Sequence, residues 1–269
     1  MKLVASGNSL EHLDRLLNKD IDGVILYIDE LSVNSSFYIE KELYEEIDFK
    51  GKEVFICLNK IMHNNDIDRL RDVLNYFKDK DVRILFYDMA VYNIASELGI
   101  TNKLVIYQDH LNASGLSNKF YYDLGIRGSF ITNDITFSEL IDIKKNSKME
   151  IMFLGYGYQP IFYSRRYLVS NYLKHIGCDK GDNYKIISDN LVEYPISEEK
   201  YGTTIYSPRE INLINYLNDL DEIDYIVMNS VNIDDDKFLM MVDKFIRREK
   251  MDDSTYLGFF KVKTIYKVK

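Results

Sequence analysis

The chain has 269 residues, of which 46% are apolar, and a net charge of −9. That length can bury one large α/β domain, and no apolar run reaches the roughly 20 residues of a membrane span. The acidic balance argues against broad nonspecific nucleic-acid binding, although an acidic chain can still carry a local basic face. The N-terminus lacks the apolar region and cleavage site of a secretory signal, and we therefore expect a cytoplasmic protein outside any membrane.

Short apolar runs rich in Val, Ile, Phe and Tyr alternate with amphipathic stretches, which predicts βα units and a parallel sheet. Eight such runs occur, at residues 2–5, 23–28, 53–58, 82–86, 104–108, 128–131, 150–154 and 225–228. Ser9, Asp66 and Thr136 are predicted N-caps of the intervening helices. Eight strands that alternate with helices predict an α/β fold of the TIM-like (β/α)8 barrel type.

The spacing of the runs changes once, because about 70 residues separate the seventh run from the eighth. A plain crossover loop is shorter. We therefore predict a single barrel domain over residues 1–269, with an α+β cap inserted between strands 7 and 8 at about residues 155–222. Residues 183–208 alternate like small antiparallel strands, and a helix is predicted to start near Pro208.

Chemistry in such barrels occurs at the C-terminal ends of the strands. The polar residues that follow predicted strands there are Asn59, Asp88, His110, Asn133 and Asp134, and the loop at 155–167 joins them. No glycine-rich phosphate motif is present in the sequence.

A hydrolase would need an activated nucleophile or a metal-bound water. We expect His12 at the surface of the first helix, whereas His63 and His110 each follow a strand end and could face the barrel mouth. No HExxH motif occurs, and no metal site is predicted. No pattern supplies a general base for Ser164, which we expect to cap a helix.

The loop at 155–167 continues into a segment with a local excess of basic residues. Residues 155–185 contain five basic and two acidic residues together with several tyrosines. Such tyrosines could stack on the bases of single-stranded RNA. Arg165 and Arg166 either clamp an anion with their forked donors or form a solvated, salt-bridged surface, and both interpretations stay open.

The run EIMFLGYGYQPIFYSRRYLVSNYL resembles the signature of peptidase family U32, the collagenase-like peptidases. YGTTIYSPREINLINYLNDLDEIDYIVMNS is similar to a later segment of that family, LNKIMHNNDID to its third-strand loop and YLGFFKVKTIYKVK to its closing strand. The resemblance covers nearly the whole chain and implies the same barrel.

The signature of that family usually carries a His-Gly pair and cysteines, which help to ligate an iron–sulfur cluster in members that hold one. Here Tyr156 stands in the histidine position, and Pro160 and Tyr167 stand in the two cysteine positions. Because such clusters need thiolates, we expect no cluster and no other cofactor. Asn133 and Asp134 stand where members often have Arg-Glu. Together these considerations give the candidate substrate-binding residues Asn59, Asp88, His110, Asn133, Asp134, Tyr156, Ser164, Arg165, Arg166 and Tyr167.

The family is named for reported protease activity, while several members support hydroxylation of ubiquinone precursors or of tRNA wobble uridine. Some of these members act as pairs in which one subunit can lack the full cysteine set. The pattern here resembles the cluster-free partner in tRNA uridine hydroxylation, which forms 5-hydroxyuridine. That resemblance implies a cluster-bearing subunit and tRNA as partners. A collagenase-like peptidase or a non-catalytic binding barrel is the alternative, and the sequence leaves open whether the chain is an enzyme.

Overall fold

The computed structural model describes residues 1–108, 111–179, 184–252 and 255–262. Its centre is a closed barrel of eight parallel strands with helices around it, which confirms the predicted TIM-like (β/α)8 fold. The strands in chain order are β1 Lys2–Ser6, β2 Gly23–Ile28, β3 Tyr38–Ile39, β4 Glu53–Leu58, β5 Arg83–Phe86, β6 Leu104–Tyr107, β7 Gly128–Ile131, β8 Glu150–Gly157, β9 Pro160–Ser164, β10 Lys185–Ile187, β11 Glu193–Glu199, β12 Gly202–Tyr206, β13 Ile211–Asn212 and β14 Tyr225–Met228.

The barrel closes because β1 pairs in parallel with both β2 and β14. The remaining barrel strands follow in the order β2, β4, β5, β6, β7, β8 and β14. All six residues of β2 are buried, as expected for a parallel strand covered on both faces. The eight predicted runs therefore correspond to the eight barrel strands, and the seventh and eighth of them are β8 and β14.

Seven helices lie within the described ranges. They are α1 Leu10–Leu17, α2 Ile67–Phe77, α3 Met89–Glu97, α4 Gly115–Asp123, α5 Phe137–Asn146, α6 Leu168–Ile176 and α7 Asp235–Arg247. Ser9 caps α1 as predicted, since its Oγ accepts the N–H of His12 at 3.0 Å. Thr136 caps α5 in a capping box with Glu139. Asp66 stands at the N-cap position of α2 as predicted, but its side chain caps no N–H of that helix and instead accepts the N–H of His63 at 2.8 Å.

The insertion between β8 and β14 contains an antiparallel sheet in the order β10, β11, β12, β9, together with helix α6. Here this unit, residues 159–207, is called the cap. Its neck is closed by Gln159 and Ser207, because the N–H of Ser207 bonds to the carbonyl of Gln159 at 2.8 Å and the N–H of Gln159 bonds to Ser207 Oγ at 3.1 Å.

The predicted helix near Pro208 is wrong. Residues Ile211–Asn212 form β13, which pairs antiparallel with Tyr156 and Gly157 of β8, and a short 3₁₀ helix follows at Ile214–Tyr216. β8 extends past its pairing with β7, so its last residues need another partner for their backbone groups. That pairing outweighs the helical periodicity of the segment.

In the described part of the chain, none of the helices combines the length and the apolar character that a membrane crossing requires.

Candidate functional site

The cap is joined to the barrel by hydrogen bonds from its β11–β12 hairpin to the loop that follows β2 and to β3. Tyr201 donates its hydroxyl to Asp29 and accepts the N–H of Glu30 at 2.9 Å. Thr204 donates to Asn34, and Tyr38 donates to Glu199 at 2.9 Å. These contacts hold the cap over one side of the barrel mouth.

The loop after β4 makes the second connection to the cap. Lys60 is only 5% exposed, and its ammonium donates to the Glu30 carbonyl at 2.6 Å and to Asp66 at 2.9 Å. It also lies 5.6 Å from the ring centroid of Tyr201. Arg165 extends from the cap toward the same loop, 3.5 Å from the carbonyl oxygen of Ile61 and 3.8 Å from the Asp66 carboxylate.

The electrostatics of this junction follow from burial and hydrogen bonding. Burial opposes the charge of Asp66, but the hydrogen bonds from Lys60 and the His63 N–H, together with the charges of Lys60 and Arg165, outweigh it and lower the pKa of Asp66. The pKa of Asp29 is lowered in the same way by Tyr201 and Lys200 against the effect of burial. Burial raises the pKa of Glu199, which the bonds from Tyr38 and Ser197 offset only in part.

A cavity of about 60 Å³ lies between the barrel mouth and the cap. Its lining combines two amides, two phenols and apolar side chains, from Val33, Asn34, Asn59, Ile61, Tyr87, Pro160, Phe162 and Tyr163. A smaller recess of about 10 Å³ is lined in part by the same Val33, Asn34 and Tyr163, and in part by Tyr38 and Glu199. Enclosed apolar walls with a few convergent polar groups are typical of a small binding site.

Asn59 and Asp88 follow β4 and β5 at the mouth, as predicted, but both bond to backbone groups. Asn59 accepts the N–H of Val33 at 2.8 Å and donates to its carbonyl at 3.0 Å. Asp88 caps α3 through the N–H of Ala90 at 2.9 Å and accepts the N–H of Met62 at 3.0 Å. Asn59 therefore lines the cavity while fixing a loop, and Asp88 orders the loop beside it.

Asn133 and Asp134 follow β7. Asn133 is buried and donates to the carbonyl of Leu154 at 3.0 Å. Asp134 is exposed and accepts from Gln159 in the cap neck at 3.1 Å and from Thr132 at 3.2 Å. The pair thus supports β8 and the neck, and neither residue lines the cavity.

Tyr156 lies away from the cap. It is 2% exposed and packs against Phe238 and Phe245 of α7, with ring centroids 6.0 Å away in each case. Leu154 pairs with Val227 and Tyr156 with Met228, so Gly155 is an extra residue in β8. Such a bulge reverses the alternation of side chains, which directs Tyr156 toward the helical layer. Its hydroxyl is buried without a hydrogen-bond partner in the described residues, and burial raises its pKa.

Ser164, Arg166 and Tyr167 each form hydrogen bonds within the cap. Ser164 ends β9, and its Oγ accepts the N–H of Arg166 at 3.2 Å, so the expectation that it caps a helix is wrong. β9 continues through Ser164 because that residue pairs with Thr203 of β12. Tyr167 precedes α6 and donates to the carbonyl of Lys200 at 2.8 Å. The exposed Arg166 guanidinium makes no ion pair within the described ranges.

The histidines do not form a catalytic group in the described residues. His12, expected at the surface, is 1% exposed between the barrel and Phe238 of α7. The surface expectation fails because that face of α1 packs inward. His63 is exposed and begins the turn before α2, while His110 lies outside the described residues. No set of three His, Cys, Asp or Glu residues in the described ranges is arranged to hold a metal ion.

Sequence reasoning missed the residues that dock the cap. Tyr38, Lys60, Glu199 and Tyr201 carry the junction, although none of them follows a motif in the sequence. Their partners are up to 172 residues away along the chain, so local periodicity gives no signal for them. The available hint was Lys60, a lysine two residues after β4, whose residues are apolar from Val54 to Leu58.

The family model for peptidase family U32 matches residues 8–234 of the chain. The chain belongs to peptidase family U32. Among its relatives, tRNA hydroxylation protein P2 of Bacillus subtilis is 26% identical over 180 residues, which cover 64% of this chain. An uncharacterized protease of Methanocaldococcus jannaschii is 25% identical over 83% of the chain. tRNA hydroxylation protein P1 of Bacillus subtilis is 22% identical over 79% of the chain.

The aligned regions cover 58%, 58% and 54% of these three U32 relatives, so the chain spans somewhat more than half of their length. The names of the relatives describe two different activities. Family membership therefore does not by itself assign either activity to this chain.

Proposed function

We propose that this U32 member is a cluster-free subunit in tRNA wobble-uridine hydroxylation, which forms 5-hydroxyuridine, and that it works with a cluster-bearing relative. The observation that carries the proposal is its similarity to two tRNA hydroxylation proteins, P1 and P2, of one organism. Two family members named for one process support a pair of related subunits. The process itself is attributed to those relatives and is inferred for this chain.

The sulfur donors of this chain do not fit an iron–sulfur cluster. Pro160 begins β9 and Tyr167 precedes α6, and neither side chain carries a sulfur atom. The two thiols belong to Cys57, buried within β4, and to Cys178, exposed after α6. Such clusters are usually held by four thiolates. The proposal therefore assigns any cluster to the partner subunit.

The cap offers the groups that a single-stranded RNA loop would contact. Phe162 is 44% exposed at the edge of the cavity, and Tyr167 and Tyr172 are 48% and 62% exposed. Aromatic faces stack on unpaired bases, and the exposed Arg166 guanidinium is suited to a phosphate. Arg165 is already engaged with the loop after β4, so Arg166 is the stronger candidate for direct RNA contact.

The second candidate function is proteolysis, which the name of the archaeal relative favours. In the described residues, Ser164 bonds to a backbone N–H and to no side-chain base. A serine nucleophile needs a base within hydrogen-bond reach. The proposed role in tRNA hydroxylation needs no nucleophile on this chain, because this subunit would only bind RNA through its cap.

The test of the RNA contact is Arg166→Ala, measured by binding of a tRNA anticodon stem-loop. Loss of one charge-assisted hydrogen bond should weaken binding by about 1 to 3 kcal/mol, and binding should fall with added salt because phosphate contacts release counterions. The fold should be unaffected. Arg71→Ala is the matched control and should leave binding unchanged. It removes an exposed arginine of α2 that pairs with Glu97 of α3.

The test of the process is the tRNA modification profile of a strain that lacks the protein. Loss of 5-hydroxyuridine-type modification supports the proposal. An unchanged profile, together with gelatin cleavage by the purified metal-free protein, would establish the protease alternative. Binding that ignores both Arg166→Ala and salt would show that Arg166 belongs to the scaffold.

A further inference from the structure

A second cavity, of about 470 Å³, lies at the N-terminal ends of the barrel strands, opposite the end that carries the cap. Its charged lining consists of the cations Arg83, Lys103, Arg127 and Lys148 and the acids Asp81 and Glu150. These residues stand at or just before the starts of β5, β6, β7 and β8, which are neighbours in the barrel. The fold therefore brings four cations together at the N-terminal end of the barrel.

Three of these cations have no carboxylate partner among the described residues. Arg83 pairs with Glu150, and Asp81 is exposed at the rim. Lys103 donates to the carbonyl of Lys80, and Arg127 donates to the carbonyls of Tyr122 and Ile126 at 3.2 and 3.3 Å. Excess positive charge thus remains in one cavity of a chain whose net charge is −9.

Tyr122 contacts two of the cations through its ring. The Arg127 guanidinium carbon lies 4.6 Å from the Tyr122 ring centroid, and the Lys148 nitrogen lies 5.7 Å from it. Cation–π attraction orients both groups, although like charges at short range repel each other. Arg83 belongs to the same lining, and its Nε and Nη2 are buried without a hydrogen-bond partner in the described part of the chain. An anion bound in the cavity would relieve the repulsion among its cations.

We propose that this cavity binds a small molecule that carries two or more phosphate groups. Neighbouring strands lie about 4.8 Å apart, so the cations at three successive strand starts span about 10 Å. That span exceeds one phosphate group and suits two linked ones. A nucleic-acid backbone would call for a basic stripe along the surface, whereas these cations line one concavity. The site lies at the opposite end of the barrel from the proposed RNA contact and does not depend on it.

The experiment is calorimetric titration of the full chain with inorganic pyrophosphate at low ionic strength, with inorganic phosphate as a second probe. We expect saturable binding of one pyrophosphate and weaker binding of phosphate. Arg127→Gln and Lys148→Gln should each weaken pyrophosphate binding about tenfold, since each removes a charge-assisted contact. Lys119→Gln, which removes an exposed lysine paired with Asp123 on α4, is the control and should change binding less than twofold.

Both substituted side chains are exposed, so the fold should survive each substitution. Circular dichroism and thermal unfolding of each variant check this. The proposal is overturned if pyrophosphate binding does not saturate, or if Lys119→Gln weakens it as much as the two cavity variants. It is also overturned if a single-stranded oligonucleotide binds, loses affinity in the cavity variants and is not displaced by pyrophosphate. That last result would identify the cavity as an RNA backbone contact.

Discussion

Polar side chains at the strand ends of this barrel act mainly on the backbone. Asn59, Asp88 and Asn133 each bond to main-chain groups of a neighbouring loop or strand. A buried backbone group without a partner costs about 1 to 3 kcal/mol, so these side chains stabilise loops that would otherwise be costly to bury. Specific binding is then left to the groups that project beyond them, above all the phenols, Phe162 and the arginines of the cap.

His12 is a buried residue whose protonation should affect stability near neutral pH. Its Nδ1 accepts the N–H of Asn8 at 3.0 Å and lies 3.2 Å from the Asp235 carboxylate. Burial lowers the pKa of His12, and the nearby Asp235 offsets this only in part. Between the folded pKa and the ordinary value of 6.5, the unfolded chain binds more protons than the folded chain. Stability should therefore be complete above that value and fall as the pH falls below it.

The measurement is urea unfolding at several pH values between 8 and about 5. His12→Asn keeps an acceptor for the N–H of Asn8 but cannot titrate, so its stability should change less with pH than that of the wild type. His175→Asn, at the exposed end of α6, is the control and should keep the wild-type slope. Parallel curves for wild type and His12→Asn would contradict the assignment.

At the scale of elements, the cap depends on the tight β11–β12 hairpin. Lys200 and Tyr201 form its loop, and Gly202 begins β12 with φ of +135°, a conformation that side chains rarely adopt. A Cβ at this position would overlap the carbonyl oxygen of Ser164 and lie 2.8 Å from Cα of Arg165. Gly202→Ala should therefore destabilise the cap by about 2 kcal/mol or more, through backbone strain and the displacement of β9.

Hydrogen exchange of residues 159–207 checks this prediction, because the barrel should stay protected while the cap exchanges faster. Gly115→Ala is the matched control. Gly115 begins α4, has no positive φ, and has no atom within 4 Å of an added Cβ. That variant should be neutral or slightly stabilising, by up to about 1 kcal/mol. Equal protection of the cap in wild type and Gly202→Ala would show that the hairpin tolerates the side chain.

The barrel strands could be predicted because each is a short apolar run whose signal is local. Features that depend on contacts distant in sequence could not. The bulge at Gly155 reverses the direction of Tyr156, and the pairing of β13 with β8 replaces the helix predicted near Pro208. Both result from how β8 continues past the barrel. For the candidate site, the position of Asn59 after a strand predicted its place at the cavity. The docking residues Tyr38, Lys60 and Tyr201 could be identified only from the folded structure.

At the scale of the whole molecule, two groups of cations on this acidic chain lie at candidate binding surfaces. One is the edge of the cap around Arg166, and the other is the N-terminal cavity of the barrel. The net charge of −9 disfavours polyanion binding over the surface as a whole, so we expect anions at these two faces. In the two proposals, the cap end contacts RNA and the opposite end of the barrel binds a separate anion.

The proposed role also predicts the metal content of the isolated chain. The resemblance to the family signature implies that Pro160 and Tyr167 stand at its cysteine positions, so we expect anaerobic reconstitution with iron and sulfide to leave the protein colourless. After desalting, iron should be well below one atom per chain, about 0.1 or less, since a cluster needs several thiolates. Cys57→Ser and Cys178→Ser should give the same result as the wild type. Stoichiometric iron with visible absorption that either substitution abolishes would mean that this chain holds a cluster itself, and the cluster would then no longer have to come from a partner.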